Sequence, residues 1–468
     1  MRTSHLTKYL IIASMPVLLV SCFSAKDYVQ SDQAIIEEAA FRTDQIAQDS
    51  VSIAEVSWRD LFTDPILTQY IEQGLHNNMD IRVALQQIVA AEAILKQGKA
   101  GYLPTFSANA GYIHQELSKN SPMGALVGSS QDQYELTGSL AWEADIWGKI
   151  RSNKRASEAS YLQTVAAHQA VKSRLIANIA SVYYQLLTVD EQMTLTKQTI
   201  ATRKNSLETT KALMESGQVS QVGVKQTEAQ LHTAKAILVD LKNQAYLLEN
   251  TLSVLLGETP KAKERTVLAD QEISTALVIG VPAQLLSNRP DVMVAELELR
   301  KAFELSNVAR SNFYPSLTLS ATGGFQSLNF DQLFSANSLF ANLVGGLAQP
   351  ILNGRKIRTQ YEVSKAQQEM ASLNFKQAVL TASKEVSDAM FSYNLATEKI
   401  AIKEKEYEAY AMAAEYSQEL LNNGLANYLE VLRAQENTLN SSLDLANTRN
   451  GQLQSVVDLY KALGGGWN

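Results

Sequence analysis

Cys22 is the residue whose type and position most plainly invite chemistry. It is the only cysteine among 468 residues, and it closes the tetrad Leu19-Val20-Ser21-Cys22, the pattern of a bacterial lipobox. Ahead of it, Arg2 and Lys8 make a basic start, and Tyr9 to Val20 is apolar apart from Ser14. That run is too short for a membrane-spanning helix. The arrangement predicts a signal peptide over residues 1–21, and the resemblance to a lipobox implies cleavage before Cys22 and acylation of its thiol. Phe23 stands where an aspartate would favour retention at the inner membrane, so the outer membrane is the expected destination. A lone cysteine also excludes an intrachain disulfide.

Other reactive groupings are missing from the pattern. His76, His114, His168 and His232 never stand three or four residues apart, and no second cysteine can join them, which argues against a metal site. No Gly-x-Ser-x-Gly elbow occurs. Gly464-Gly465-Gly466 is a C-terminal tail, and Gly323-Gly324 and Gly345-Gly346 fall in strand patterns, where glycine permits curvature. The expectation is a protein without cofactor or metal that is not an enzyme. Losing Arg2 and Lys8 with the leader takes the formal charge from −7 to −9, a poor balance for binding nucleic acid. No apolar run of eighteen or more follows the leader, so a membrane role must use strands.

These features sit on an internally duplicated chain. Asn77-Asn78-Met79-Asp80 opens a helix ending near Pro104, and Asn288-Arg289-Pro290-Asp291 opens another ending near Pro315, an offset of 211. Beyond the strand region the offset becomes 207: Ile150-Arg151 matches Ile357-Arg358, and Gly217 matches Gly424. Lys172, Leu175, Ile179, Val182, Leu186, Val189 and Met193 form an alternating 3/4 seam. Val379, Ala382, Val386, Ala389, Tyr393, Ala396 and Ile400 repeat it. A further seam runs Leu231, Ala234, Leu238, Leu241, Ala245, Leu248, Leu252, Leu255. Each copy therefore reads helix, strand, strand, long helix, helix. The long helices, from about Gly148 to Ser216 and from about Gly354 to Asn422, would each span roughly 100 Å at 1.5 Å per residue.

The strand segments, about 104–118, 132–147, 315–327 and 337–352, alternate. Phe106, Ala108, Ala110 and Tyr112 oppose Thr105, Ser107, Asn109 and Gly111. Leu317, Leu319, Ala321 and Phe325 oppose Thr318, Ser320 and Thr322. This is the dyad of a transmembrane barrel strand, and equally of a half-buried strand in a soluble sandwich; the leader and the long helices favour the first. Four strands cannot close a barrel, and open edges cannot sit in lipid. Three copies would supply twelve strands. The expected fold is mainly α with a transmembrane β part, its trimer forming a twelve-strand β-barrel continued by a long α-helical periplasmic barrel.

At this point the residues resemble a known family, the TolC-like outer-membrane efflux proteins, in particular their lipoprotein branch. The resemblance is carried by Leu285-Leu286-Ser287-Asn288-Arg289-Pro290-Asp291-Val292 with Ala295-Glu296 and Pro315, by Leu255-Leu256-Gly257-Glu258-Thr259-Pro260, by Pro350-Ile351-Leu352-Asn353-Gly354-Arg355, and by Asn427-Tyr428-Leu429-Glu430-Val431-Leu432-Arg433-Ala434-Gln435. It implies a homotrimeric duct in the outer membrane, lipid-anchored and extending into the periplasm. It also implies a periplasmic adaptor protein at the helical tip and an inner-membrane pump of the resistance-nodulation-division type behind it. The organisation this implies is a lipid-anchored N-terminal part of an equatorial region over 22–64, a first repeat over 65–260, an equatorial connection over 261–281, a second repeat over 282–463 and a tail over 464–468.

The tip is the candidate site. Gly217 and Gly424 each follow a long helix and read as C-caps, because glycine takes positive φ cheaply. With Leu425 they would face the adaptor. By resemblance, the helix after the second turn lines the narrowest aperture, where relatives carry acids. The matching positions are Glu430 and Arg433, the latter a departure from the usual acid. Standing at i, i+3, they could instead form a solvated ion pair. Leu421 and Ala426 occupy the places where some relatives latch the tip, so that latch does not transfer. An efflux duct for small toxic compounds is the first reading, the outer duct of a type I protein-secretion system the alternative, and a non-conducting coiled-coil spacer the third.

Overall fold

The structure is a computed structural model that describes residues 25–29, 57–127, 130–271 and 288–467. Cys22 and the leader lie outside the described residues, as do 272–287 of the expected connection and second repeat. Thirteen elements matter here: α1 Trp58–Leu61, α2 Pro65–Asn77, α3 Met79–Ala100, β1 Thr105–Glu116, α4 Pro122–Val127, β2 Ser130–Ala144, α5 Lys149–Glu215, α6 Gln221–Leu255, α7 Pro290–Ser311, β3 Ser316–Ser327, β4 Leu339–Ala348, α8 Lys356–Asn422 and α9 Tyr428–Ala462. The order helix, strand, strand, long helix, helix occurs twice, as the duplication predicts. The long helices α5 and α8 have 67 residues each, and α6 and α9 have 35 each.

The chain divides into two compact units. One comprises Met1–Ser31, Ile88–Gln163 and Ala295–Asn374 and holds the sheet. Its four strands are antiparallel in the order β1-β2-β3-β4, so β1 and β4 each have one free edge. Register pairs place Phe106 beside Leu140, Leu140 beside Ala321, and Ala321 beside Leu343. Paired residues share a face. Leu136, Phe325 and Leu339 therefore join that face, as do Trp142 with Leu319 and Leu317 with Leu347. The opposite face carries Ser107, Ser139, Thr322 and Asn342 in register. Three large side chains depart from it: Ile113 opposite Gln133 in β1, and Phe340 opposite Gly324 and Val344 opposite Ser320 in β4, put apolar groups on the polar side.

Among the described residues most of the apolar face is left uncovered: Phe106, Leu343 and Leu347 are 72%, 71% and 68% exposed. Aromatic rings gather at both ends of the strands. Tyr112 lies on Tyr134 with centroids 5.1 Å apart, and Phe330 meets Tyr134 at 5.4 Å. At the other end Trp147 stacks on Tyr314 at 4.8 Å, and its Nε1 donates to the Pro315 carbonyl at 2.7 Å. Trp142 donates to the Tyr102 carbonyl at 2.9 Å. Two girdles flanking an apolar band are what a strand crossing a bilayer needs. In the same unit the first described residues are tied down: Asn307 accepts from the Lys26 amide and donates to the Lys26 carbonyl, and Asp27 pairs with Arg155 at 2.8 Å.

The other unit comprises Asp32–Gln87, Thr164–Val294 and Phe375–Asn468. Its core is built from the predicted seams: Leu175, Ile179 and Leu186 of α5, Leu252 of α6 and Val386 of α8 are all buried, together with Leu67, Ile71, Tyr183 and Leu459. Asp64 caps α2 through the amides of Ile66 and Leu67, and accepts from Tyr183, Thr266 and Gln271. Burial alone would raise its carboxyl, but these donors hold it below the ordinary range. The segment after α6 is strapped down by ions. Arg265 pairs with Asp190 and Glu249, and Lys263 with Glu258.

The duplication reappears atom by atom. α6 closes with Gly257 donating to the Val254 carbonyl and Glu258 to that of Ser253, both at 3.0 Å; α9 closes with Gly464 to Lys461 and Gly465 to Tyr460 at 3.0 and 2.9 Å. The carbonyl of Leu255 is caught by the Asn78 amide at 2.9 Å, and its counterpart, that of Ala462, by Arg289 at 2.9 Å. The copies differ in packing. No residue of α8 from Phe391 to Leu420 is buried, whereas the matching stretch of α5 buries Leu186, Leu187, Val189, Arg203 and Leu207.

Candidate functional site

At the ends of the two long helices the chain turns at Gly217 (φ +77°) and Gly424 (φ +71°). Each turn satisfies the last carbonyls in the same way: Gly217 donates to Met214 and Gln218 to Leu213, Gly424 to Leu421 and Leu425 to Leu420, at 2.8–3.0 Å. This is a Schellman closure. Leu425 is 76% exposed at the head of its turn, where a partner could reach it.

α9 then begins with Asn427 as its cap, the side chain accepting from the Leu429 amide at 3.1 Å. Glu430 and Arg433 are both exposed on the first turns of α9. None of the ion pairs among the described residues joins them, so they stand as separate charges. Leu421 is buried and Ala426 is half-buried, and neither offers a polar group for a latch.

What ties the two hairpins together was not foreseen. Tyr428 donates its hydroxyl to Gln226 Oε1 at 3.0 Å. Its ring lies against Gly223, where a Cβ would come within 2.9 Å of it. Deeper, Gln435 of α9 donates to Ser206 Oγ of α5 at 3.0 Å, and Gln192 of α5 donates to Asn447 of α9 at 2.8 Å. Gly223 offered a signal: it stands inside a helix, at a position with no turn to make.

A second constellation sits at the start of the second repeat. Arg289 is almost fully buried and reaches Asp291 at 2.6 Å, Glu385 at 2.7 Å and the Ala462 carbonyl at 2.9 Å. Burial tends to raise the Asp291 carboxyl, but the guanidinium beside it holds it below the ordinary range. Three segments far apart in sequence are thereby fixed by one side chain. His114, by contrast, pairs with Asp132 at 2.7 Å and Glu116 at 3.4 Å at the far end of β1.

This architecture has known counterparts. The chain is 30% identical over 417 residues to the toluene efflux pump outer membrane protein TtgF of Pseudomonas putida, covering 89% of this chain and 86% of that one. It is 24% identical over 452 residues to the cation efflux system protein CusC of Escherichia coli, covering 96% of each. Its fold matches the outer membrane channel CmeC of Campylobacter jejuni with a TM-score of 0.85 at 22% identity, covering 95% of both chains. The open state of the MtrE outer membrane channel of Neisseria gonorrhoeae gives 0.84 at 24% identity, covering 96% of this chain and 99% of that one. The model of the outer membrane efflux protein family matches residues 70–258 and 281–465, one stretch on each repeat, and the chain belongs to that family.

Proposed function

We propose that the protein is the outer-membrane duct of a tripartite efflux system. It works as a homotrimer and passes small toxic compounds from an inner-membrane pump, through a periplasmic adaptor, to the outside. The observation that carries this reading is the sheet: an apolar face left bare, a polar face in register behind it, and two free edges. Lipid can cover such a face, but only a closed ring can satisfy such edges. Three copies close it at twelve strands. The helices support the same assembly. Phe391, Leu395, Ile402, Met412, Tyr416 and Leu420 form one exposed stripe on α8, and Val239, Tyr246 and Val254 form one on α6, which is what neighbouring copies would bury. The lipobox at Cys22 and the names borne by the relatives point the same way. Transport of this kind needs no chemistry from the duct itself.

Deleting the gene should raise susceptibility to one or more classes among organic solvents, dyes, antibiotics and metal ions, and plasmid-borne protein should restore it. Unchanged susceptibility across all four classes would sink this reading, and a defect confined to an exported protein would shift it to type I secretion.

At the tip, the start of α9 lines the aperture and Glu430, repeated by three-fold symmetry, makes a ring of charge, with Arg433 as a second ring. Leu425, beside Gly217 and Gly424, is the adaptor's landing point. Glu430→Ala is expected to leave the trimer intact and to raise single-channel conductance in a planar bilayer. Conductance equal to wild type would remove Glu430 from the gate.

A further inference from the structure

Arg203 of α5 is 3% exposed, above the Gly217 turn, where α5, α6 and α9 come together. One guanidinium N–H donates to the Gln230 carbonyl of α6 at 2.6 Å. Among the described residues its Nε has no partner, and two buried acceptors on the neighbouring helices, Gln230 Oε1 of α6 and Gln435 Oε1 of α9, have none either. Gln435 is anchored only through its amide nitrogen, to Ser206 Oγ. Burial pulls the guanidinium below its ordinary value, opposed through space by Glu436 of α9, which is exposed. The matching residue in the second copy is Tyr410, so the feature belongs to one hairpin of the two.

A buried cation with an idle donor, beside acceptors with no donor, is an arrangement that a small movement would improve. Gln435 and Glu436 are adjacent on α9 and point about 100° apart around its axis. In the present arrangement α9 buries the neutral amide against Ser206, three residues along α5 from Arg203, and leaves the Glu436 carboxylate in solvent. Part of a turn of α9, or its outward displacement with Glu436 swinging in, exchanges the one for the other. We propose that Arg203 is a positioning residue for the gate: the resting tip holds it short of a carboxylate, and opening brings Glu436 onto it. The guanidinium thereby favours the open arrangement over the resting one. The proposal deepens the reading of α9 as the aperture-lining helix and rests on it.

The test uses full-length trimer in planar lipid bilayers, with thermal denaturation of the same preparations. Arg203→Met removes both the burial cost at rest and the ion pair on opening. It should raise the denaturation temperature and lower the open fraction by roughly five- to tenfold, within the usual range of coupling between sites. Glu436→Gln should lower the open fraction without raising the denaturation temperature. Exchanging the two, Arg203→Glu with Glu436→Arg, should recover openings lost in either single variant. A raised open fraction in Arg203→Met would make the arginine a lock, and a raised denaturation temperature with unchanged openings would make it only a packing defect. Either result overturns the proposal. Glu430→Ala separates the two readings: if it leaves conductance alone while Arg203→Met lowers openings, α9 moves but does not line the aperture at Glu430.

Discussion

Arg289→Ala should cost about 2–3 kcal/mol, somewhat below the usual penalty for breaking a buried ion pair because Asp291 and Glu385 keep access to solvent. The loss exceeds that of any surface pair because the guanidinium is buried and serves three acceptors at once: Asp291, Glu385 and the Ala462 carbonyl. Its removal leaves a helix-end carbonyl and two carboxylates without their donor. Domains of ordinary stability hold only about 5–15 kcal/mol in reserve. The variant should therefore reach the outer membrane in much reduced amount, and what does arrive should denature at a distinctly lower temperature. Arg289→Lys should recover only part of this, since an ammonium cannot repeat the two-pronged grip of a guanidinium on a carboxylate. Replacing Arg289, Asp291 and Glu385 together by apolar residues of similar volume should recover more than the lysine does. Thermal denaturation of the purified variants decides the order.

Gly464→Ala and Gly257→Ala are the second pair of large effects. Both glycines take positive φ, +86° and +71°. A Cβ on either would fall 2.6 or 2.5 Å from a backbone carbonyl, that of Asn288 or Asn77. Neither carbonyl can yield without shifting the start of the following helix, whose first turn the same segment defines. Strain in the left-handed region costs of order 1 kcal/mol, and the clash adds to it, so each variant should lose roughly 3 kcal/mol or more. Gly217 and Gly424 make the control. They share the positive φ, but open space surrounds the missing Cβ. Their alanine variants should lose only the strain. If all four variants denature at the same temperature, the close approach at Gly257 and Gly464 carries no weight.

Helix lengths, the seams and the strand alternation were legible in the sequence because they are periodic, and periodicity is a local property of the chain. Leu175, Ile179 and Leu186 repeat at helical spacing whether or not one knows what covers them. The glycine caps were legible for the same reason. Partners were not legible. Nothing near Arg289 points to Glu385, and Tyr428 and Gln226 lie on different hairpins. Arg203 looks like one more solvated charge on a long helix, and only the approach of α6 and α9 takes it out of water. At the tip, the spacing of Glu430 and Arg433 permitted an ion pair that the structure does not form. Ile113, Phe340 and Val344, set on the polar side of the sheet, break the alternation that holds along most of the strands.

The free edges of β1 and β4 also have a genetic consequence. A protomer whose sheet cannot be completed within its own chain has no finished state to wait in, so folding of the strands and joining of copies become one event. In the proposed trimer, every ring draws its members from a common supply. A cell making equal amounts of wild-type chain and a variant that joins but cannot conduct would keep only about one-eighth of its ducts free of the variant. Alleles that spoil the sheet itself would never enter the ring and would behave as recessive. Those that spoil the tip would enter it and act as dominant.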